Sequence, residues 1–169
     1  MYRYLYTASA YNRTMNRYEE ELQIAYDLGC AVHENYNLGD GSLKGLYMDG
    51  HIALGKNMRT TAERTCVLAE EIGHRKTTVG NILDQTDAGN RKQERQARLE
   101  AYKILGIIPG LVSAFNACCR NCYEIAEHIG ITEAVLESAI LTFADKYPDG
   151  ILIDDYYIRF DPLFVLKRR

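Results

Sequence analysis

The 169-residue chain contains no tryptophan beside its 13 tyrosines, a bias that by itself excludes nothing. Other absences exclude more. No apolar run approaches the ~20 residues that span a bilayer, so no transmembrane helix and no membrane partner are expected. The opening stretch MYRYLYTASAYNRT lacks the continuous apolar segment of a secretory signal, which points to the cytoplasm. A basic excess is missing too. The formal net charge is −3, so the domain as a whole has nothing to gather nucleic acid. Five cysteines (Cys30, Cys66, Cys118, Cys119 and Cys122) are an odd number without the spacing of a disulfide framework, and reduced thiols are expected. Cys119 and Cys122 form a lone C-x-x-C. A zinc ribbon needs a second pair, and a redox pair wants a helix start after a strand, so structural thiols are expected.

What is present is ordinary globular material: 47% hydrophobic and 25% charged residues, enough for one domain with a sizeable core. Apolar residues at helical spacing from Leu22 to Val32 predict an amphipathic helix over 17–34. GLYMDG and HIALGK, joined at Asp49-Gly50, predict a hairpin. Thr60 and Glu63 have capping-box spacing and predict a helix start. A polar linker over 77–90 leads to a charged helix over 90–105, and Pro109-Gly110 predicts a break. Helices are expected over 111–147, a turn at Pro148-Asp149-Gly150, and β segments at ILID, YYIRF and LFVL.

The chemistry is concentrated in Leu68-Ala69-Glu70-Glu71-Ile72-Gly73-His74. Residues four apart share a helix face, so Glu70 and His74 can point at one ion from successive turns while Glu71 sits beside them. This is the layout of H-E-x-x-H with Glu in place of the first His. In that motif two histidines hold zinc and the Glu takes a proton from a water. A third ligand is needed. Glu94, on the next helix, is the better candidate and Glu100 the alternative. Cys66, one turn before Glu70, is expected in the core instead.

The run from Leu43 to Leu105 resembles phage and mobile-element members of the ImmA/IrrE family of metallo-endopeptidases. The resemblance rests on a small β segment, the motif helix, and a following helix with Glu94, Ala97 and Ala101 in an E-x-x-A-x-x-x-A pattern. It implies a zincin-like α+β fold, mainly helical. Metal ligands would fall at Glu70, His74 and Glu94, with Glu71 as general base and zinc, manganese or iron as the ion. It further implies a protein substrate, a helix-turn-helix repressor, whose cleavage would give an anti-repressor role. Two carboxylates and a neutral imidazole cancel a divalent ion's charge, so Lewis acidity should be lower than in a His, His, Glu set.

Three further features complete the reading. Ala126, Gly130, Ile131 and Leu136 lie where a helix-turn-helix places its small, turn and core residues, yet its second helix would carry Glu133 and Glu137 and no Arg or Lys. Packing or partner docking is therefore expected there, not direct DNA contact. His33, His51 and His128 lack ligand spacing and are expected to be surface or hydrogen-bonded residues. Arg91, Lys92, Arg95 and Arg98 alternate with Glu94 and Glu100, which predicts a solvated face or one that orients an acidic segment. The expected organisation is a zincin-like core over 1–110, a helical helix-turn-helix-like unit over 111–147 and a short β extension over 148–169.

Overall fold

The computed structural model of the protein describes residues 16–39, 42–77 and 87–168. Helix α1 (Arg17–Asp27) starts at a capping box: the Asn16 side chain accepts from the Glu19 N–H at 3.1 Å, and the Glu19 carboxylate accepts from the Asn16 N–H at 2.8 Å. The periodicity predicts helix as far as residue 34, but the chain leaves it at Leu28. Gly29, at φ +74°, supplies the left-handed residue that ends it. Residues Ala31–Tyr36 form strand β1 instead, paired in parallel with β3 (His51–Gly55). Val32 fits the inner side of either element, and the strand wins through a partner that local periodicity does not register.

Strand β2 (Gly45–Met48) runs antiparallel to β3 across the Asp49-Gly50 turn. Both turn residues have positive φ, +47° and +82°, as a type I′ hairpin requires. The sheet order is β1-β3-β2, so β2 is an edge strand.

Helix α2 (Thr61–Thr77) carries the motif. The Glu63 N–H donates to Thr60 Oγ1 at 3.1 Å, and the Glu63 carboxylate accepts from the Arg59 and Thr60 N–H groups. The predicted capping box is therefore formed. Helix α2 lies between two cores. Val67, Leu68 and Ile72 join Tyr18, Ala25, Ile52 and Leu54 from α1 and the first sheet. Cys66 and Ala69 join a second cluster with α3 (Asp87–Ile104), α4 (Ile107–Asn116), α5 (Cys122–Ile129) and α6 (Glu133–Lys146). That cluster is closed by a meander of β4 (Ile151–Ile153), β5 (Tyr156–Phe160) and β6 (Leu163–Lys167), through Ile158 and Phe160. Each fully buried Leu or Ile contributes about 1.5–3 kcal/mol, so α2 is held from both sides.

The architecture is mixed α+β with small sheets. Of the expected linker, residues 78–86 lie outside the described residues, and α3 begins at Asp87 rather than at 90. The break expected at Pro109-Gly110 falls earlier, at Gly106 (φ +57°); Pro109 lies in the first turn of α4, where a missing N–H costs no helix bond. The α5–α6 pair forms as expected: Gly130 takes φ +83°, and Ala126, Ile131 and Leu136 are buried. Glu133 and Glu137 face solvent. No helix among the described residues is long and apolar enough to cross a membrane.

Candidate metal centre

Glu70 and His74 stand one turn apart on α2, and Glu94 reaches toward them from α3. One ligand atom from each lies within 4.8 Å of the other two, a grouping that could hold a metal ion. His74 Nε2 and Glu94 Oε2 are 3.9 Å apart. A tetrahedral ion with donors at roughly 2.1 Å holds two such atoms about 3.4 Å apart. The Glu94 side chain is 47% exposed, so closing that gap needs side-chain rotation and no movement of the core. Two carboxylates and one imidazole suit zinc, and also manganese or iron. The donor set therefore fits a divalent cation.

The close approach of the two helices has a specific cause. A Cβ on Gly73 would stand 2.4 Å from the Ala97 carbonyl oxygen and 3.3 Å from the Ala101 nitrogen. Only glycine lets α3 lie this close, with the small buried side chains of Ala97 and Ala101 facing α2. Glu94, three positions before Ala97, is thereby carried to His74. Glu100, the alternative third ligand, is six residues further along α3, about 9 Å, and pairs with Lys103.

Glu71 projects to the other side of the centre, toward the edge strand, and is only 8% exposed. A Cβ on Gly45 would fall 2.5 Å from Glu71 Oε1 and 2.6 Å from Val67 Cγ1, so β2 lies against α2 only because residue 45 has no side chain. Burial pushes the Glu71 carboxyl up to about 7. The Glu70 charge and, less strongly, the Glu94 charge add to that rise, while a backbone hydrogen bond from Tyr47 opposes it. A divalent cation on Glu70 and Glu94 would cancel both of those charges and draw the value back down.

The remaining candidates fall elsewhere. Cys66 is buried and accepts from the Thr132 N–H at 3.4 Å, fixing the start of α6 on α2 instead of approaching the ion site. All five cysteines are free thiols. His33 Nε2 and His51 Nδ1 hydrogen-bond at 3.0 Å across neighbouring strands, and His128 bonds Ser113 at 2.8 Å. Gly45, Gly73 and the Tyr47 main chain shape the candidate centre, and the residue pattern did not single them out. For Gly73 a signal existed, since an interior helical glycine costs about 1 kcal/mol against alanine and invites a packing reason. For Gly45, at the start of a strand, there was none. No protein-family model matches the chain, and no solved structure matches it.

Proposed function

We propose that the chain is a zincin-like, metal-dependent endopeptidase domain of the ImmA/IrrE kind, acting on a helix-turn-helix repressor of a phage or mobile element. The observation that carries this reading is the convergence of Glu70, His74 and Glu94 with Glu71 buried beside them against an open sheet edge. Glu70, His74 and Glu94 would hold the ion, zinc first by the family resemblance with manganese or iron as alternatives, which supplies Lewis acidity toward a peptide carbonyl and a water. Glu71 takes the proton of the attacking water and returns it to the leaving amine. The Tyr47 main chain and the contact with Gly45 hold the Glu71 carboxylate in place for that transfer. The edge of β2 receives the substrate as an added extended strand.

A second reading is supported by one residue. Glu70 stands where the motif has histidine, and the resulting neutral site favours binding over turnover. The same fold would then bind a regulator without cutting it. A mixed-sequence peptide library, incubated with protein reconstituted with zinc, manganese or iron, separates the two. The hydrolase reading expects internal cleavage, read by mass spectrometry, from the parent and none from Glu71→Gln. Absence of cleavage with all three ions supports the binding module.

A further inference from the structure

The outer face of the first sheet carries a pair of imidazoles that the candidate centre does not use. Ile52 and Leu54 are buried in the core shared with α2, so the alternation of β3 puts His51 and Ala53 on the opposite face. Parallel pairing sets Ala31 opposite His51 and Ala53 opposite His33. The two histidines therefore stand on one diagonal of a square whose other corners are alanines, and those small side chains leave the space between to the rings. His33 Nε2 and His51 Nδ1 approach to 3.0 Å, with ring centroids 5.3 Å apart and planes 25° from parallel. Both residues are exposed, where water competes for the hydrogen bond and folding gains little from it. Strand β2 adds a third donor. Met48 pairs with His51 across the hairpin and is 61% exposed, so its thioether lies on the same outer face beside His51.

We propose that His33 and His51, with Met48 beside them, form a surface site for a copper ion, separate from the centre on α2 and independent of its chemistry. Two nitrogens about 2.0–2.1 Å from one ion stand roughly 2.9 Å apart at a right angle and about 3.3–3.4 Å apart in a tetrahedron. The observed 3.0 Å is nearer the first value, the geometry of neighbouring positions on square-planar copper(II) or nickel(II). Copper(II) is the more tightly held of those two at any such donor set, and a thioether is a soft donor suited to copper. None of the three donors is a carboxylate, so the site does not favour the hard ions magnesium, calcium and manganese. Entry of the ion releases no net proton from two neutral rings. Whichever ring donates the hydrogen bond moves that proton to its other nitrogen, His33 Nδ1 or His51 Nε2, and both facing lone pairs are then available to the ion. Bound copper clips edge strand β1 to β3 at the last regular pair before the register shifts.

Pulsed electron paramagnetic resonance tests this by counting the imidazoles on copper(II) added alone at one equivalent. The sample is the full chain carrying His74→Ala, which removes the only imidazole of the α2 centre, and Cys118→Ser, which removes the exposed thiol that would reduce the ion. The chain has four histidines, so His33, His51 and His128 then remain. Two imidazoles per copper are expected. His33→Gln or His51→Gln should leave one and weaken copper by about 100-fold, with the melting temperature of the metal-free protein unchanged. Copper should raise the melting temperature of the starting chain and of neither variant, since only a folded sheet holds the two rings together. Met48→Leu should weaken copper about threefold and leave nickel unmoved, as a weak sulfur ligand would. One imidazole per copper in the starting chain overturns the proposal, as do two retained in either histidine variant. Copper affinity unmoved by Met48→Leu overturns the part given to the thioether. Because His74 is already gone, none of these results bears on the α2 centre.

Discussion

Glu21 lies on the buried face of α1, 0% exposed, and neither of its carboxylate oxygens has a hydrogen-bond partner among the described residues. The Thr65 hydroxyl, buried on α2, is likewise without a partner among the described residues. Burial pushes the Glu21 carboxyl up to about 9 from an ordinary 4.5, with Arg17 drawing it down and Glu20 adding to the rise. In the folded protein the group therefore keeps its proton at neutral pH, while in the unfolded chain it has lost it. A folded-state value above the unfolded one, for an acid, means stability is fully present below about 4.5 and falls as pH rises toward 9. At about 1.4 kcal/mol per pH unit, the loss between pH 4.5 and 7 is roughly 3 kcal/mol. Glu21→Gln keeps the shape and removes the titration. The difference between variant and parent, from urea midpoints at a series of pH values, should be near zero at pH 4. It should reach about 3 kcal/mol in favour of the variant at pH 7 and grow further at pH 8. A difference that does not change with pH, or a variant less stable at pH 8, would refute the reasoning, because the carboxylate would then be charged and partnered in the fold.

Two glycines yield predictions of opposite sign to their local propensity. Gly73→Ala favours an isolated helix by about 1 kcal/mol, but its Cβ would meet the Ala97 carbonyl at 2.4 Å. The variant should therefore be less stable than the parent by calorimetry and bind zinc more weakly, since Glu94 is driven from His74; unchanged zinc affinity would contradict the packing argument. Gly45→Ala should displace Glu71 and leave Glu70, His74 and Glu94 in place. Near-parent zinc affinity by titration calorimetry with a lower melting temperature is expected, whereas unaltered stability would contradict the contact.

Much of the frame could be read from residues alone because its signals are local. The Thr60 and Glu63 box, the Asp49-Gly50 turn and the Gly130 turn each specify their structure within four residues. The spacing of the candidate ligands on α2 was legible for the same reason, since Glu70 and His74 share a face of any helix. What was not legible depends on partners distant in the chain. The 17–34 periodicity could not reveal that residues 31–36 would pair with β3. The choice of Glu94 over Glu100 turns on where α3 crosses α2, which Gly73 and Ala97 decide. Glu21 looks like a solvated helix charge until α1 is laid on α2, and the Glu71 environment appears only when Gly45 brings the sheet edge against it.

Metal content tests the central claim most directly. Protein purified without chelators or affinity tags is analysed by elemental mass spectrometry, before and after zinc, manganese or iron supplementation, beside His74→Ala and Glu94→Ala. About one equivalent of ion per chain in the parent, lost in both variants, is the predicted result. No stoichiometric metal in the parent under any supplementation, or full retention in both variants, would contradict a centre built from Glu70, His74 and Glu94.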